Sequence, residues 1–183
     1  MTTRQLFTLL ALSFAVQSAH YAEHVTQLIQ IYALGIAPPE AHGLLGHVFD
    51  FEWVHFLYNL GLEIVLVGIW LGYRQVWQAA RPTTPHPGIQ TLAGLVLFQG
   101  YHAIEHITKL YQYLFIPIYQ SGLPPTPGIL PTLTGWPIFL VHFWLNTVVW
   151  AALVWALWRL RPNMDAQAAM WAQPEASRRE LNH

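Results

Sequence analysis

The sequence predicts an all-α integral membrane protein, a four-helix bundle built by tandem duplication of a two-helix unit. Three observations predict this fold: the composition, four long apolar stretches and a repeated pair of polar motifs. Hydrophobic residues make up 54% of the 183 residues and charged residues only 9%, against roughly 25% charged in ordinary soluble domains. A chain this apolar is typical of a protein whose solvent is the lipid bilayer.

The four apolar stretches run over about 6–34, 51–73, 89–114 and 136–160. Each can supply the roughly 20 residues that a spanning helix needs. We therefore expect one membrane domain over 1–161, with repeat one at about 6–74, repeat two at about 89–160, and a cytoplasmic tail at 162–183. The apolar start of the chain resembles a signal peptide. Repeat two has a similar segment before its first motif, so we expect a retained helix.

The duplication is visible in two polar motifs. The pattern His-x-x-Glu-His occurs at 20–24 and again, 82 residues later, at 102–106. The pattern His-Phe-x-x-Asn occurs at 55–59 and, 87 residues later, at 142–146. A repeat that contains two spans keeps its orientation in the membrane, so a pseudo-two-fold axis should lie along the membrane normal.

Basic residues predict the orientation of the spans. Of eight Lys and Arg residues, seven flank the N-terminus, the central loop or the C-terminal tail, and only Lys109 lies toward the other side. By the positive-inside rule both termini and the central loop are cytoplasmic, and the loops 36–50 and 121–135 are outside. At 1.5 Å per residue, all four motifs then lie in one layer in the outer half of the membrane.

That layer has the composition of a dinuclear metal centre. His20 and His24 lie one helical turn apart, with Glu23 near the same face, and His102, Glu105 and His106 repeat the arrangement. Imidazoles are the commonest metal ligands, and carboxylates can bridge two cations. The predicted ligands are His20, Glu23, His24, His55, His102, Glu105, His106 and His142. Glu23 and Glu105 are also the predicted catalytic residues. Around them we expect Gln17, Asn59, Gln99 and Asn146, with Glu63 as a proton relay.

Known metalloproteins share parts of this pattern. The use of His and Glu on paired helices resembles the ferritin-like carboxylate proteins. The motifs resemble, at motif level, the His-x-x-x-His clusters of membrane fatty-acid hydroxylases and desaturases, which are non-haem di-iron enzymes. The paired-His boxes of those enzymes are missing here, and the spacing differs. His-x-x-Glu-His is also the inverted zinc-protease signature, although those proteases are large soluble proteins. No family is assigned on these likenesses.

The leading functional prediction is a non-haem di-iron oxidoreductase that activates dioxygen or peroxide against a lipid-soluble substrate, served by an electron-donor protein. Zn, Mn and Cu also suit nitrogen and oxygen ligands. One alternative is a di-haem b-type electron carrier. Another is a Zn-dependent membrane hydrolase or a metal carrier. A purely structural polar network would gain only about 0.6 kcal/mol per interhelical hydrogen bond.

Composition narrows the function further. The net charge of −1 and the lack of a basic face argue against nucleic acid as a partner. The absence of Cys excludes thiolate metal sites and iron–sulfur clusters. His42 and His47 have no counterpart in repeat two, and we interpret them, with His86, as loop residues.

Overall fold

A computed structural model describes residues 1–46, 51–79, 86–122 and 124–172, with side chains described as far as 161. This part of the chain is all-helical and contains no strand. Its four long helices are α1 (Thr3–Tyr32), α2 (Glu52–Ala79), α3 (Pro87–Phe115) and α4 (Ile138–Ala172). The loop after α1 contains a 3-10 turn, Pro38–Glu40. The loop after α3 contains a second turn, Pro117–Tyr119, and a short helix, Leu130–Thr134.

Two helix starts are defined by side chains that bind free backbone N–H groups. The Thr2 hydroxyl accepts a hydrogen bond from the Gln5 backbone N–H, and the Gln5 side chain accepts one from the Thr2 backbone. Together they form a capping box before α1. Before α3, His86 Nδ1 accepts from the Gly88 N–H at 3.0 Å, and Pro87 occupies the first helical position, where its missing N–H carries no penalty.

The bundle divides lengthwise into an apolar half and a polar half. Buried leucines from all four helices, among them Leu6, Leu66, Leu92 and Leu153, fill the half that contains the start of α1 and the end of α2. The repeated histidines lie in the other half. Helix α1 packs mainly against α4, and α2 mainly against α3. The principal contacts therefore join one repeat to the other, which makes the two repeats one folding unit.

Within the described part of the chain, two helices are long and apolar enough to cross a membrane. They are Glu52–Ala79, with a mean hydropathy of 1.7, and Ile138–Arg161, with a mean hydropathy of 1.8. The other two long helices carry the His-x-x-Glu-His motifs and their flanking glutamines, which lower the hydropathy of any window that includes them. The predicted all-helical fold is therefore confirmed for the described residues, with two candidate membrane spans among the four long helices.

Candidate metal centre

The structure brings the six repeated histidines together into one cluster, which we call the histidine cluster. Contacts between neighbouring rings connect all six, with ring centroids 4.7 to 6.5 Å apart. The members come from all four helices: His20, His24, His55, His102, His106 and His142. Four of them, His24, His102, His106 and His142, are buried. The predicted convergence of the six motif histidines, which are far apart in the sequence, is therefore compatible with this fold.

Repeat one contributes His20, His24 and His55, whose nearest ligand atoms all lie within 4.8 Å of one another. The Nε2 atoms of His20 and His24 are 3.2 Å apart. His24 Nδ1 lies 3.1 Å from Gln27 Oε1, and His55 Nδ1 lies 3.3 Å from the Phe51 carbonyl oxygen. Since each of these oxygens can only accept from the ring, Nδ1 carries the proton and Nε2 keeps its lone pair.

Repeat two contributes His102, His106 and His142. The Nε2 atoms of His102 and His106 are 3.3 Å apart. Three further ring nitrogens are buried without a hydrogen-bond partner among the described residues, namely His102 Nδ1, His106 Nδ1 and His142 Nε2. A buried polar atom left unsatisfied costs about 1–3 kcal/mol. Three in one cluster indicate that the cluster is built for something besides its own hydrogen bonds.

The two short nitrogen–nitrogen distances have a specific chemical meaning. Two imidazole nitrogens bound to one ion at 2.0–2.1 Å, with a bond angle near the tetrahedral value, lie about 3.3 Å apart. An N–H···N hydrogen bond between the two rings gives a similar distance. Such a bond would satisfy one nitrogen of each ring, and it would leave His102 Nδ1, His106 Nδ1 and His142 Nε2 without a partner among the described residues.

The structure places the two predicted carboxylate ligands outside the cluster. Glu23 accepts hydrogen bonds from the backbone N–H groups of Leu44 and Leu45 at 2.6 and 3.1 Å. Glu105 accepts from those of Ile129 and Leu130 at 2.8 and 3.1 Å. The sequence expectation put both carboxylates on the metals, whereas their oxygens bind the backbone of the two loops. Charge-assisted hydrogen bonds of this kind hold the loops over the histidine end of the bundle.

A glutamine two turns further along each helix completes this attachment. Gln30 exchanges two hydrogen bonds with the Gly43 backbone, at 2.8 and 3.0 Å, and Gln112 Oε1 accepts from the Gly128 N–H at 2.9 Å. Both glycines have a positive φ, 74° and 78°. A Cβ on either would overlap the neighbouring carboxylate. Each Glu and Gln pair therefore requires a glycine in its loop.

Below the histidines, side-chain amides connect the repeats in what we call the amide layer. Gln17 of repeat one donates to Asn146 of repeat two at 2.9 Å, and Gln99 of repeat two donates to Asn59 of repeat one at 3.1 Å. Each Asn side chain also donates a 2.9 Å hydrogen bond to the backbone carbonyl of the histidine one turn earlier, which is His55 for Asn59 and His142 for Asn146. The two Asn side chains thus bind the backbone of their own helices, and their predicted place around the metal ligands stays a prediction.

Glu63 lies deeper, where the repeats differ. Its Oε1 approaches Gly100, and its Oε2 is buried without a partner in the described part of the chain. At the equivalent place the Trp150 indole donates to Ser18 Oγ at 3.0 Å. Among the described residues, no hydrogen bond or ion pair joins Glu63 to a histidine. Its predicted part in a proton relay therefore remains a prediction.

An ion pair that the sequence did not predict lies beside the cluster. Lys109 Nζ is 3.0 Å from Glu52 Oε1, with the two side chains only 7% and 19% exposed. The Thr126 hydroxyl donates to the same carboxylate oxygen at 2.6 Å. The pair joins α3 to the start of α2. The sequence does hold an indication of this pair: both residues differ from their equivalents in the other repeat, where Gln27 and Phe139 stand in place of Lys109 and Glu52.

A cavity of about 540 Å³ leads from the loops down to the cluster. Its lining includes His24, His55 and His142, together with Lys109 and Glu52. Aromatic and aliphatic side chains form much of the remaining wall, among them Ile31, Phe51, Trp53, Ile138 and Phe139. A small molecule can therefore reach three of the six imidazoles from the loop end.

Four histidines lie outside the motifs, and one of them, His183, falls outside the described residues. His42 lines the cavity. His86 caps α3 and packs its ring edge-on against Trp77, with centroids 4.7 Å apart, far along the chain from the cluster. His47 also lies outside the described residues.

Removing a loop attachment is expected to destabilise the fold. Glu105→Ala leaves two backbone N–H groups without their acceptor, so the free energy of unfolding should fall by about 2–4 kcal/mol. Denaturation in detergent followed by circular dichroism measures it. Thr108→Ala is the matched control, since its hydroxyl bonds only the Ile104 carbonyl of its own helix. Equal effects of the two substitutions would show that the loop contact contributes nothing.

Compared with protein-family models, curated proteins and solved structures, this chain gives no match. Its function must therefore be argued from the site itself.

Proposed function

We propose that this chain is a membrane metalloprotein in which the histidine cluster binds two metal ions and performs redox chemistry as an oxidoreductase. The single observation that carries the proposal is the pair of Nε2···Nε2 distances, 3.2 Å between His20 and His24 and 3.3 Å between His102 and His106. They recur at equivalent places in the two repeats. Both match two ligands on one ion. A hydrogen bond between the rings matches them too, but it leaves three buried ring nitrogens of repeat two without a partner in the described part of the chain, and metal binding gives those imidazoles a function.

The same distances favour bare metal ions over two haems. A haem would take one imidazole from each of two helices, so it would not require two imidazole nitrogens of the same helix to lie 3.2 or 3.3 Å apart. A di-haem arrangement would use His24 or His20 alone and leave its neighbour beside the porphyrin without a function.

The ligand set supports a redox metal held by imidazole. With Glu23 and Glu105 engaged by the loops, three histidines of each repeat remain for each ion. Imidazole suits Fe, Cu, Zn and Ni. Iron is the proposed metal, as a non-haem di-iron centre. Because Glu23 and Glu105 bind the loops and not the ions, copper is the second candidate metal. A ligand set of neutral imidazoles suits an ion that can work as a monovalent cation in an apolar interior.

The cavity supports an apolar substrate. Its wall is rich in aromatic and aliphatic side chains, and it ends on His24, His55 and His142. Sites for small molecules are commonly apolar clefts with a few converging polar groups. A lipid-soluble molecule would enter at the loop end, be oriented by the aromatic wall, and meet the imidazole-bound ions at the floor. The electrons would come from a donor protein.

Membrane insertion of all four helices is part of this proposal. Large apolar side chains point outward from α1 and α3 as well as from the two candidate spans, with Leu12 56%, Leu97 77% and Ile107 45% exposed. Most polar residues in the middle of α1 and α3, such as Gln17, His24 and Gln99, are buried instead, and the exposed Arg4, Gln5, Thr8 and Gln90 lie near the helix starts. Helices with apolar exteriors and polar interiors are what a bilayer selects.

Topology tests the insertion directly. Single cysteines introduced at Ser121 and at Thr84 should be labelled by an impermeant maleimide from opposite sides of the membrane, Ser121 from outside in intact cells. Thr84 should react only after the membrane is opened. Labelling of both from the same side would contradict four spans with cytoplasmic termini.

Metal analysis with an absorption spectrum tests the proposed function. Protein purified in detergent is expected to hold about two metal ions per chain, iron or copper, and to lack a Soret band. An intense Soret band, with haem extractable into acid acetone, would replace the proposal with an electron carrier. Zinc alone at the same stoichiometry would favour a hydrolase or a metal carrier.

A further inference from the structure

The two halves of the histidine cluster differ in the residue that follows the His-x-x-Glu-His motif by one helical turn. Three residues after the second histidine of the motif, repeat one has Gln27 and repeat two has Lys109. An amide oxygen can accept the Nδ1–H of the neighbouring imidazole, whereas a lysine ammonium can only donate. The same helical position therefore supports a histidine in one repeat and cannot do so in the other.

In repeat one the outer ring nitrogens of two histidines are held by oxygen acceptors. Gln27 Oε1 lies 3.1 Å from His24 Nδ1, and the Phe51 carbonyl lies 3.3 Å from His55 Nδ1. Metal-binding histidines nearly always donate their second N–H in this way, which fixes the tautomer and the ring orientation. The trio of His20, His24 and His55 is also the one whose ligand atoms lie within 4.8 Å of one another. It is preorganised for an ion.

In repeat two the corresponding support is missing. Lys109 turns to Glu52, 3.0 Å away. Within the described part of the chain, His102 Nδ1 and His106 Nδ1 are buried without a partner. Nothing there fixes which nitrogen carries the proton, so an ion must select the right tautomers as it binds. That selection lowers the affinity for the ion.

We propose that the two metal positions are unequal, with the first ion bound tightly by His20, His24 and His55 and the second bound more weakly by His102, His106 and His142. The inference rests on the proposed function. Loss of the groups that support metal ligands typically costs 10- to 100-fold in metal affinity. The two dissociation constants should therefore differ by about 10- to 100-fold.

Titration of metal-free protein with Zn²⁺, followed by calorimetry in detergent, measures both steps. Zn²⁺ is redox-inert, so binding is separated from chemistry. The wild-type chain should show two steps. His20→Ala should remove the tight step and His102→Ala the weak one. These two residues are chosen because each ring contacts cluster histidines of its own repeat only.

Two further variants test the cause of the difference. Gln27→Ala should weaken the tight step by about 10- to 100-fold. Lys109→Gln combined with Glu52→Gln supplies repeat two with an amide acceptor, avoids leaving an unpaired charge, and should tighten the weak step. If that double variant does not fold, the effect of Gln27→Ala still decides. His86→Ala should change neither step.

The outcomes separate the two proposals. Two steps of equal affinity, or a tight step that survives His20→Ala, would overturn the inequality while leaving the dinuclear centre in place. A wild-type chain that binds no Zn²⁺, although its thermal melt shows it to be folded, would overturn the proposed function and the inequality with it.

Discussion

Replacing His24 or His106 by Ala is expected to remove most of the metal from the purified protein. These two rings contact histidines of both repeats. His24 meets His142 with centroids 5.9 Å apart, and His106 stacks on His55 at 5.7 Å. Each substitution therefore disturbs both metal positions. Because residues in one network do not act independently, the double variant should lose little more metal than the worse single variant.

Metal analysis of the two single variants and the double variant measures this coupling. His86→Ala, a histidine that caps a helix end, should leave the metal content unchanged. Losses that simply add in the double variant would contradict a shared centre and would indicate two separate mononuclear sites.

Most of the histidine cluster could be predicted from the sequence because helical geometry and the repeat constrain it jointly. Spacing of four residues puts His20 above His24 on any helix, and the duplication then requires the same of His102 and His106. The apolar stretches set the depth. Each observed helix extends beyond its apolar stretch at one end at least. Helix α1, for instance, begins at Thr3 rather than about residue 6, because capping by Thr2 and not hydropathy decides where the helix starts.

The positions of Glu23 and Glu105 could not be predicted from the helices alone. A carboxylate beside two histidines can turn toward them or away, and the backbone of a loop determines the choice. The relevant signal is a Gly followed by two apolar residues, at 43–45 and at 128–130, 85 residues apart. That offset lies between the other two, so a fixed spacing of 87 aligns His42 with Ile129 and hides the match.

The ion pair of Lys109 and Glu52 was not predicted from the sequence, for a different reason. Both residues are departures from the repeat, and the duplication argument gives weight only to what recurs. Residues that recur in both repeats identify the shared ligands, whereas positions at which the repeats differ identify what distinguishes the two halves of the site. Comparison of the repeats for differences would have paired Lys109 with Gln27 and drawn attention to the unequal surroundings of His24 and His106.

Removing Glu52 is expected to cost the fold a large part of its stability. Glu52→Ala leaves the Lys109 ammonium, 7% exposed, without its counter-ion and takes the acceptor from the Thr126 hydroxyl. Breaking a buried ion pair by removing one partner typically costs 3–5 kcal/mol. Since Glu52 is 19% exposed and water can reach part of the site, we expect about 3 kcal/mol, measured as the free energy of unfolding in denaturant.

The double variant Glu52→Leu with Lys109→Leu distinguishes an unpaired charge from lost packing. Replacing both members of a buried pair with apolar residues is often neutral or stabilising, so the double variant should recover most of the loss seen in Glu52→Ala. Glu40→Ala is the matched control, because Glu40 lies exposed in the same loop region and surface substitutions usually change stability by less than about 0.5 kcal/mol. If the double variant is as unstable as the single, the carboxylate acts through Thr126 and the packing of α2 on the loop. A stability of Glu52→Ala equal to that of Glu40→Ala would mean that water already screens the pair.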